Sequence, residues 1–106
     1  MILNENTGGK ITEVQARILI TAFDRKFPDE VVSSFIGKLN VKDILDQENC
    51  IGLRIYNGYD ETNQKMSLVI VGVGQNGNDL LAGGLIYDEL VTCPPTCPPG
   101  ISLSQY

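Results

Sequence analysis

The chain has 106 residues, of which 42% are hydrophobic and 20% charged, a balance that fits one globular domain with a modest core and excludes disorder of the whole chain. Eight basic residues against thirteen acidic ones give a net charge of −5 with no basic run, so the attraction on which phosphate-backbone binding depends is missing and nucleic acid is excluded as a partner. Histidine and tryptophan are both absent, which removes the commonest general base and the commonest neutral metal ligand, and with them most hydrolase and metalloenzyme mechanisms.

Residues 1–10, MILNENTGGK, are polar, contain Gly8-Gly9 and read as a flexible arm. They lack the charged and apolar regions of a leader, and no apolar run approaches the roughly 20 residues that cross a bilayer. A cytoplasmic protein without membrane contact is expected. Thr12 and Gln15 have the spacing of a capping box, and Ala16, Leu19, Ile20, Phe23 and Phe27 follow at helical spacing up to Pro28. This predicts a helix with one apolar stripe, its Arg25 and Lys26 in the last turn, where the dipole favours them.

Val31–Ile36 is β-branched and aromatic and predicts a short strand. A second helix is expected over Asn40–Glu48, with Asn40 as its cap, Asp43 in the first turn and Val41, Ile44 and Leu45 as a narrow stripe. From Cys50 the period changes to two. Ile51, Leu53 and Ile55 are expected on a core face, and Cys50, Gly52, Arg54 and Tyr56 on the other. Asn57, Gly58, Asp60 and Asn63 supply a turn, and Met66–Val73 is apolar on both faces, as a central strand is. A further turn at Asn76-Gly77 leads to a strand over Leu80–Tyr87, interrupted at Gly83-Gly84. Residues 11–92 therefore read as a single α+β domain, and 93–106, rich in Cys and Pro, as an extended strap or tail.

Several motifs invite a chemical reading. Gly72-Val73-Gly74-Gln75-Asn76-Gly77 matches G-x-G-x-x-G, but the chain beyond it is too short and too glycine-rich for the helix, parallel strand and acidic residue of a dinucleotide site. Its glycines are read as a strand end and turn. Gly8-Gly9-Lys10 resembles the end of a phosphate loop, yet Ile11 stands where a magnesium-binding hydroxyl belongs. Asp60, Asn63, Asn76, Asn78 and Asp79 lack the order of a calcium loop and are read as turn chemistry.

Cys50, Cys93 and Cys97 can hold zinc with a carboxylate or water, or Cys93 can pair with Cys97 or with Cys50 in a disulfide, or all three can stay free thiols. Arg54 and Tyr56 share a strand face and form a candidate ligand-binding surface, against the alternative of a solvated face where the Arg54 stem covers the ring. No catalytic residue and no cofactor is assigned.

Four landmarks recur together: Phe35-Ile36-Gly37-Lys38, Cys50-Ile51-Gly52-Leu53-Arg54-Ile55-Tyr56, Leu68-Val69-Ile70-Val71-Gly72-Val73 with Asn76-Gly77-Asn78-Asp79, and Cys93-Pro94-Pro95-Thr96-Cys97. In this order the chain resembles a group of short bacterial proteins, mostly from Bacteroidota, that carry no assigned function. The resemblance covers about residues 30–98. It implies a bacterial source and a self-contained fold, and it carries over no functional residue.

Together these features predict an α+β fold: an antiparallel sheet of three to four strands built on the Cys50–Val73 hairpin, with two helices from the N-terminal half packed against it. A central strand apolar on both faces, in a chain with few elements to cover it, leads to the expectation of a small non-catalytic module that binds a protein partner or itself. The alternative is a thiol or metal site at Cys50, Cys93 and Cys97.

Overall fold

In a computed structural model that describes residues 2–104, the capping box at Thr12 is formed in both directions. The Gln15 amide donates to Thr12 Oγ1 at 3.1 Å and the Thr12 amide donates to Gln15 Oε1 at 3.0 Å. Helix α1 (Glu13–Lys26) starts there, and its Phe27 cap precedes Pro28, as the sequence implies. Six further elements complete the chain: β1 (Ser33–Phe35), α2 (Lys38–Leu45), β2 (Cys50–Asp60), β3 (Lys65–Gly74), β4 (Ile86–Tyr87) and β5 (Val91–Cys93). The fold is mixed α+β, with a three-stranded antiparallel sheet ordered β2-β3-β4 and a two-stranded sheet of β1 and β5. These elements fall into two compact units: residues 2–8 with Ile36–Leu90, and Gly9–Phe35 with residues 91–104.

The first unit is built on β2 and β3, which pair continuously from Gly52↔Val73 to Asp60↔Lys65. Asn57 and Gly58, expected in the turn, lie within β2; only residues 61–64 turn. Asp60 carries that turn, accepting from the Thr62 and Asn63 amides at 3.0 and 3.1 Å and from Asn63 Nδ2 at 2.8 Å. These bonds hold the Asp60 carboxyl below its usual range, the Asn63 side chain being the largest cause.

β3 is the central strand, as its two apolar faces predict. Ile70, Val71 and Val73 are 3%, 2% and 4% exposed, so both faces of its C-terminal half are already covered within the chain. Helix α2 packs on β2 and β3 and supplies Ile44, which is fully buried. Gly72 is the contact point, because a Cβ there would lie 3.1 Å from Ile44 Cγ2 and 3.2 Å from Cys50 Sγ. α2 begins earlier than expected: Gly37, not Asn40, is the cap, and Asp43 falls outside the first turn. An extended Gly37 (φ −69°, ψ 147°) starts the helix without a side-chain bond, a role that glycine fills nearly as well as the polar caps.

A β-bulge between Cys50 and Gly52 changes the expected alternation of β2. Inserting one residue at Ile51 moves Cys50 to the α2 side of the sheet, where its sulfur donates to Gly52 O at 3.3 Å, and leaves Arg54 and Tyr56 on the opposite face. Leu53 and Ile55, expected in the core, are 36% and 55% exposed. An eight-residue α2 is too short to cover the whole hairpin face, so the outer strand keeps its apolar side chains in solvent.

In the second unit β1 and β5 pair antiparallel, with Ser33 opposite Cys93 and Phe35 opposite Val91, and the Val32 amide donates to Cys93 O at 2.8 Å. Of the expected strap, Cys93 ends strand β5. Along α1 no residue is buried: Ala16, Ile20 and Phe23 are half-buried, whereas Leu19 and Phe27 of the expected stripe are 64% and 48% exposed. Arg17 ties this helix to the tail by donating to Leu103 O at 3.2 Å.

Among the described residues the buried apolar side chains are Ile44, Ile70, Val71 and Val73 in the first unit and Val31 and Cys93 in the second. Ile11, Val14, Ile18, Phe35, Leu39, Tyr59 and Leu81, also among the described residues, are each more than half exposed.

Candidate functional site

Arg54 and Tyr56 stand two residues apart on β2, opposite Val71 and Val69 of β3. Across β3, the chain returns from the Asn76-Gly77 turn and Asp79 bridges to Val73. Arg54 therefore spans the central strand. Its Nη1 donates to Asp79 Oδ1 at 2.6 Å, and both Nη1 and Nη2 donate to Gly77 O at 3.2 Å. The Tyr56 hydroxyl donates to the second Asp79 oxygen. Side-chain exposure is 33% for Arg54 and 19% for Asp79, and the Arg54 stem lies over the apolar surface of β3. Gly52, opposite Val73 on the same face, stands clear of the Arg54 side chain, since nothing lies within 4 Å of where its Cβ would be.

The turn that delivers Asp79 is held by backbone bonds. Gly77 N donates to Gly74 O and Gly74 N to Asn78 O, both at 2.9 Å, and Leu80 N donates to Gly72 O at 2.8 Å. Gly77 has φ +84°, the left-handed region that glycine enters without strain. Each glycine of the G-x-G-x-x-G match is thus accounted for by the fold. Gly72 admits α2, Gly74 admits the Leu80 side chain, which stands 3.2 Å from where a Cβ would be, and Gly77 makes the turn. Beyond the turn the chain forms a bridge and the two-residue β4, not a helix; Leu80–Leu85 of the expected longer strand lie outside it.

The electrostatics of the trio arise from these contacts. The Tyr56 hydroxyl, and then the Arg54 guanidinium, hold the Asp79 carboxyl below its usual range despite partial burial. Asp79 in turn pushes the Tyr56 phenol up and raises the already high pKa of Arg54. The donors and acceptors are spent on one another, so the arrangement acts as a clasp that fixes the 75–79 turn across β3.

Its pH dependence has a definite sign. Because the folded pKa of Asp79 is lowered, the clasp's contribution is complete above the ordinary value of 3.8 and is lost as pH falls through the lowered one. Because that of Tyr56 is raised, its share is complete below 10.0 and is lost as pH rises through the raised value. The stability difference between wild type and Asp79→Asn is expected to be constant through neutral pH and to shrink below 3.8. Thermal melts followed by circular dichroism measure it; a difference unchanged down to about pH 2 would contradict the clasp.

The three cysteines are divided between the units. Cys93, 2% exposed, forms a disulfide with Cys97 whose Cα atoms are 4.8 Å apart. Cys50 belongs to the other unit and is a half-buried free thiol. Among the described residues no group of three His, Cys, Asp or Glu side chains comes together as a metal site. Nor does any helix among them have the length and apolar character to cross a membrane.

A cleft of about 380 Å³ runs beside β2, lined by Leu3, Asn4, Glu5 and Thr7 of the arm and by Ile51–Ile55 with Val73. The arm is locally ordered by the Thr7 amide donating to Asn4 O at 3.1 Å. The sequence pattern singles out Arg54 and Tyr56 but leaves Asp79 among the turn residues. The available signal is the position of Asp79 immediately after an Asn-Gly turn, where a returning strand faces an unpaired arginine. No family model matches the chain, and no curated protein and no solved structure matches it either.

Proposed function

We propose that this protein is a small non-catalytic binding or assembly module that acts by protein contact, as part of a larger complex in the bacterial cytoplasm. The observation that carries this is the exposed apolar surface of β2, where Leu53, Ile55 and Tyr59 stand in solvent on one face of an edge strand. Contiguous exposed apolar area of this kind marks contact sites in soluble proteins. The polar residues nearest to it are tied into the clasp, so the surface offers shape and apolar area, with no reactive group prepared for chemistry.

Sedimentation velocity of the full chain across a range of concentrations, together with chemical cross-linking in extract of its own cells, tests this. Self-association or one saturable partner is expected. A chain that stays at 11.6 kDa throughout and cross-links to nothing would overturn the assembly role.

A second reading, a redox-active thiol protein, is favoured by the Cys93–Cys97 bond, one of whose sulfurs belongs to a half-exposed residue. Counting thiols after rapid alkylation decides it. Two of the three cysteines should change between reduced and oxidised cells; an invariant count would end this reading.

A further inference from the structure

We propose that Cys97 is the sulfur at which thiol–disulfide exchange enters the Cys93–Cys97 bond, and that the groove beside it receives a cysteine on an uncharged, apolar protein segment, one half of a partner dithiol. This rests on the redox reading above and names the sulfur attacked and its substrate. The two sulfurs are unequal. Cys93 is 2% exposed and sits in β5 opposite Ser33, while Cys97 is half-exposed and lies beyond the strand. A thiolate must reach the sulfur with which it bonds, so burial closes Cys93 to attack and leaves Cys97. Cys97 also lines a groove of about 410 Å³, whose walls include Phe35, Val91, Pro98 and Pro99 with the hydroxyl residues Ser33 and Thr96.

The chemistry of the groove selects the substrate. Phe35 and Val91 are cross-strand partners, 68% and 47% exposed, and none of the described residues lining the groove carries a charge. Glutathione would bring two carboxylates and an ammonium that find no counter-charge there, to a chain whose net charge is −5. A cysteine flanked by apolar residues instead lays those side chains on the Phe35–Val91 pair. In the exchange the partner's thiolate forms a bond to Cys97 Sγ and the Cys93–Cys97 bond breaks. Its electron pair leaves on Cys93 as a thiolate, which takes up a proton because a charge at that buried position is costly. The partner's second thiolate then attacks the partner sulfur of the mixed disulfide and releases Cys97 as a thiolate. Two electrons have passed from the dithiol to this chain, and the partner is left as a disulfide. Two backbone bonds hold the site without using the disulfide: the Val32 amide donates to Cys93 O at 2.8 Å, and the Thr96 amide donates to Thr92 O at 2.9 Å, closing the turn before Cys97. The opened sulfurs therefore stay close, and the step is reversible.

The test uses the full oxidised chain in a Cys50→Ser background, which removes the free thiol. The probes are an end-blocked Leu-Cys-Leu peptide, glutathione and 2-mercaptoethanol, compared at equal thiolate concentration. Acid quenching followed by peptide mass mapping locates the mixed disulfide. The adduct is expected on Cys97, with the blocked peptide reacting about tenfold or more faster than glutathione. Phe35→Ala, a truncation at an exposed position, should slow the peptide roughly three- to tenfold and leave 2-mercaptoethanol unchanged. An adduct that forms first on Cys93 would overturn the assignment of Cys97. A peptide no faster than glutathione, or a Phe35→Ala chain slowed equally towards 2-mercaptoethanol, would overturn the groove as the substrate site. Each of these results leaves the redox reading standing, whereas a bond that no probe opens in the folded chain would end both.

Discussion

Replacing Ile44 with alanine is expected to destabilise the fold by about 2–5 kcal/mol, the range of a large buried aliphatic truncation. Ile44 is fully buried, and it is the only residue of α2 that is. Its Cγ2 stands 3.1 Å from the position a Gly72 side chain would occupy, so truncation opens a void between helix and sheet. The site collapses poorly, because the β2–β3 ladder fixes Gly72 and the eight-residue α2 has no second buried anchor to reseat it. Denaturant unfolding measures the loss. Leu39→Ala on the same helix, where the side chain is 71% exposed, is expected to stay within about 0.5 kcal/mol. Equal losses at the two positions would mean that α2 is not held by Ile44.

Gly58→Ala is expected to cost about 1–3 kcal/mol, although Gly58 sits in a strand where alanine is ordinarily the better residue. An added Cβ would lie 2.8 Å from the carbonyl oxygen of Ser67, its register partner on β3. That oxygen belongs to the backbone ladder and cannot swing aside as a side chain does, so the hairpin must shift. Gly52→Ala is the matched control on the same strand. Nothing lies within 4 Å of its added Cβ, and the change is expected to be neutral or to stabilise by about 0.4–1 kcal/mol through the unfolded chain. Thermal or urea unfolding of the two variants separates a steric cost from a general intolerance of alanine in β2.

Much of the scaffold was legible because local chemistry determined it. Thr12 and Gln15 specify the start of α1 by a reciprocal bond between near neighbours, and the double apolar pattern of Met66–Val73 specifies a strand flanked on both sides. Features that depend on partners distant in sequence were not legible. The bulge at Ile51 reverses the side on which Cys50 lies, and only the register with Gly74 and Val73 reveals it. The extra length of β2 through Asn57 and Gly58 comes from cross-strand pairing that overrides their turn preference. The pairing of β1 with β5 joins segments about 60 residues apart, which no local period records.

The candidate site divides in the same way. The alternation from Gly52 onward placed Arg54 and Tyr56 on one face, but it could not place Asp79, 25 residues later, between them. With Asp79 present, the surface that invited a ligand becomes a clasp. Cover for both faces of the C-terminal half of β3, which the apolar pattern demands, is supplied within the chain, where Val71 and Val73 are buried. The strand beside it is the one that stands open. Interest moves from the centre of the sheet to its edge.

Hydrogen exchange of the β2 amides, compared at low and high protein concentration, tests self-association through the open strand β2 most directly. The outward-facing amides of residues 54–60 are predicted to exchange more slowly as concentration rises, while those of β3, already paired on both sides over Ile70 and Val71, stay unchanged. Exchange along β2 that is independent of concentration would contradict it.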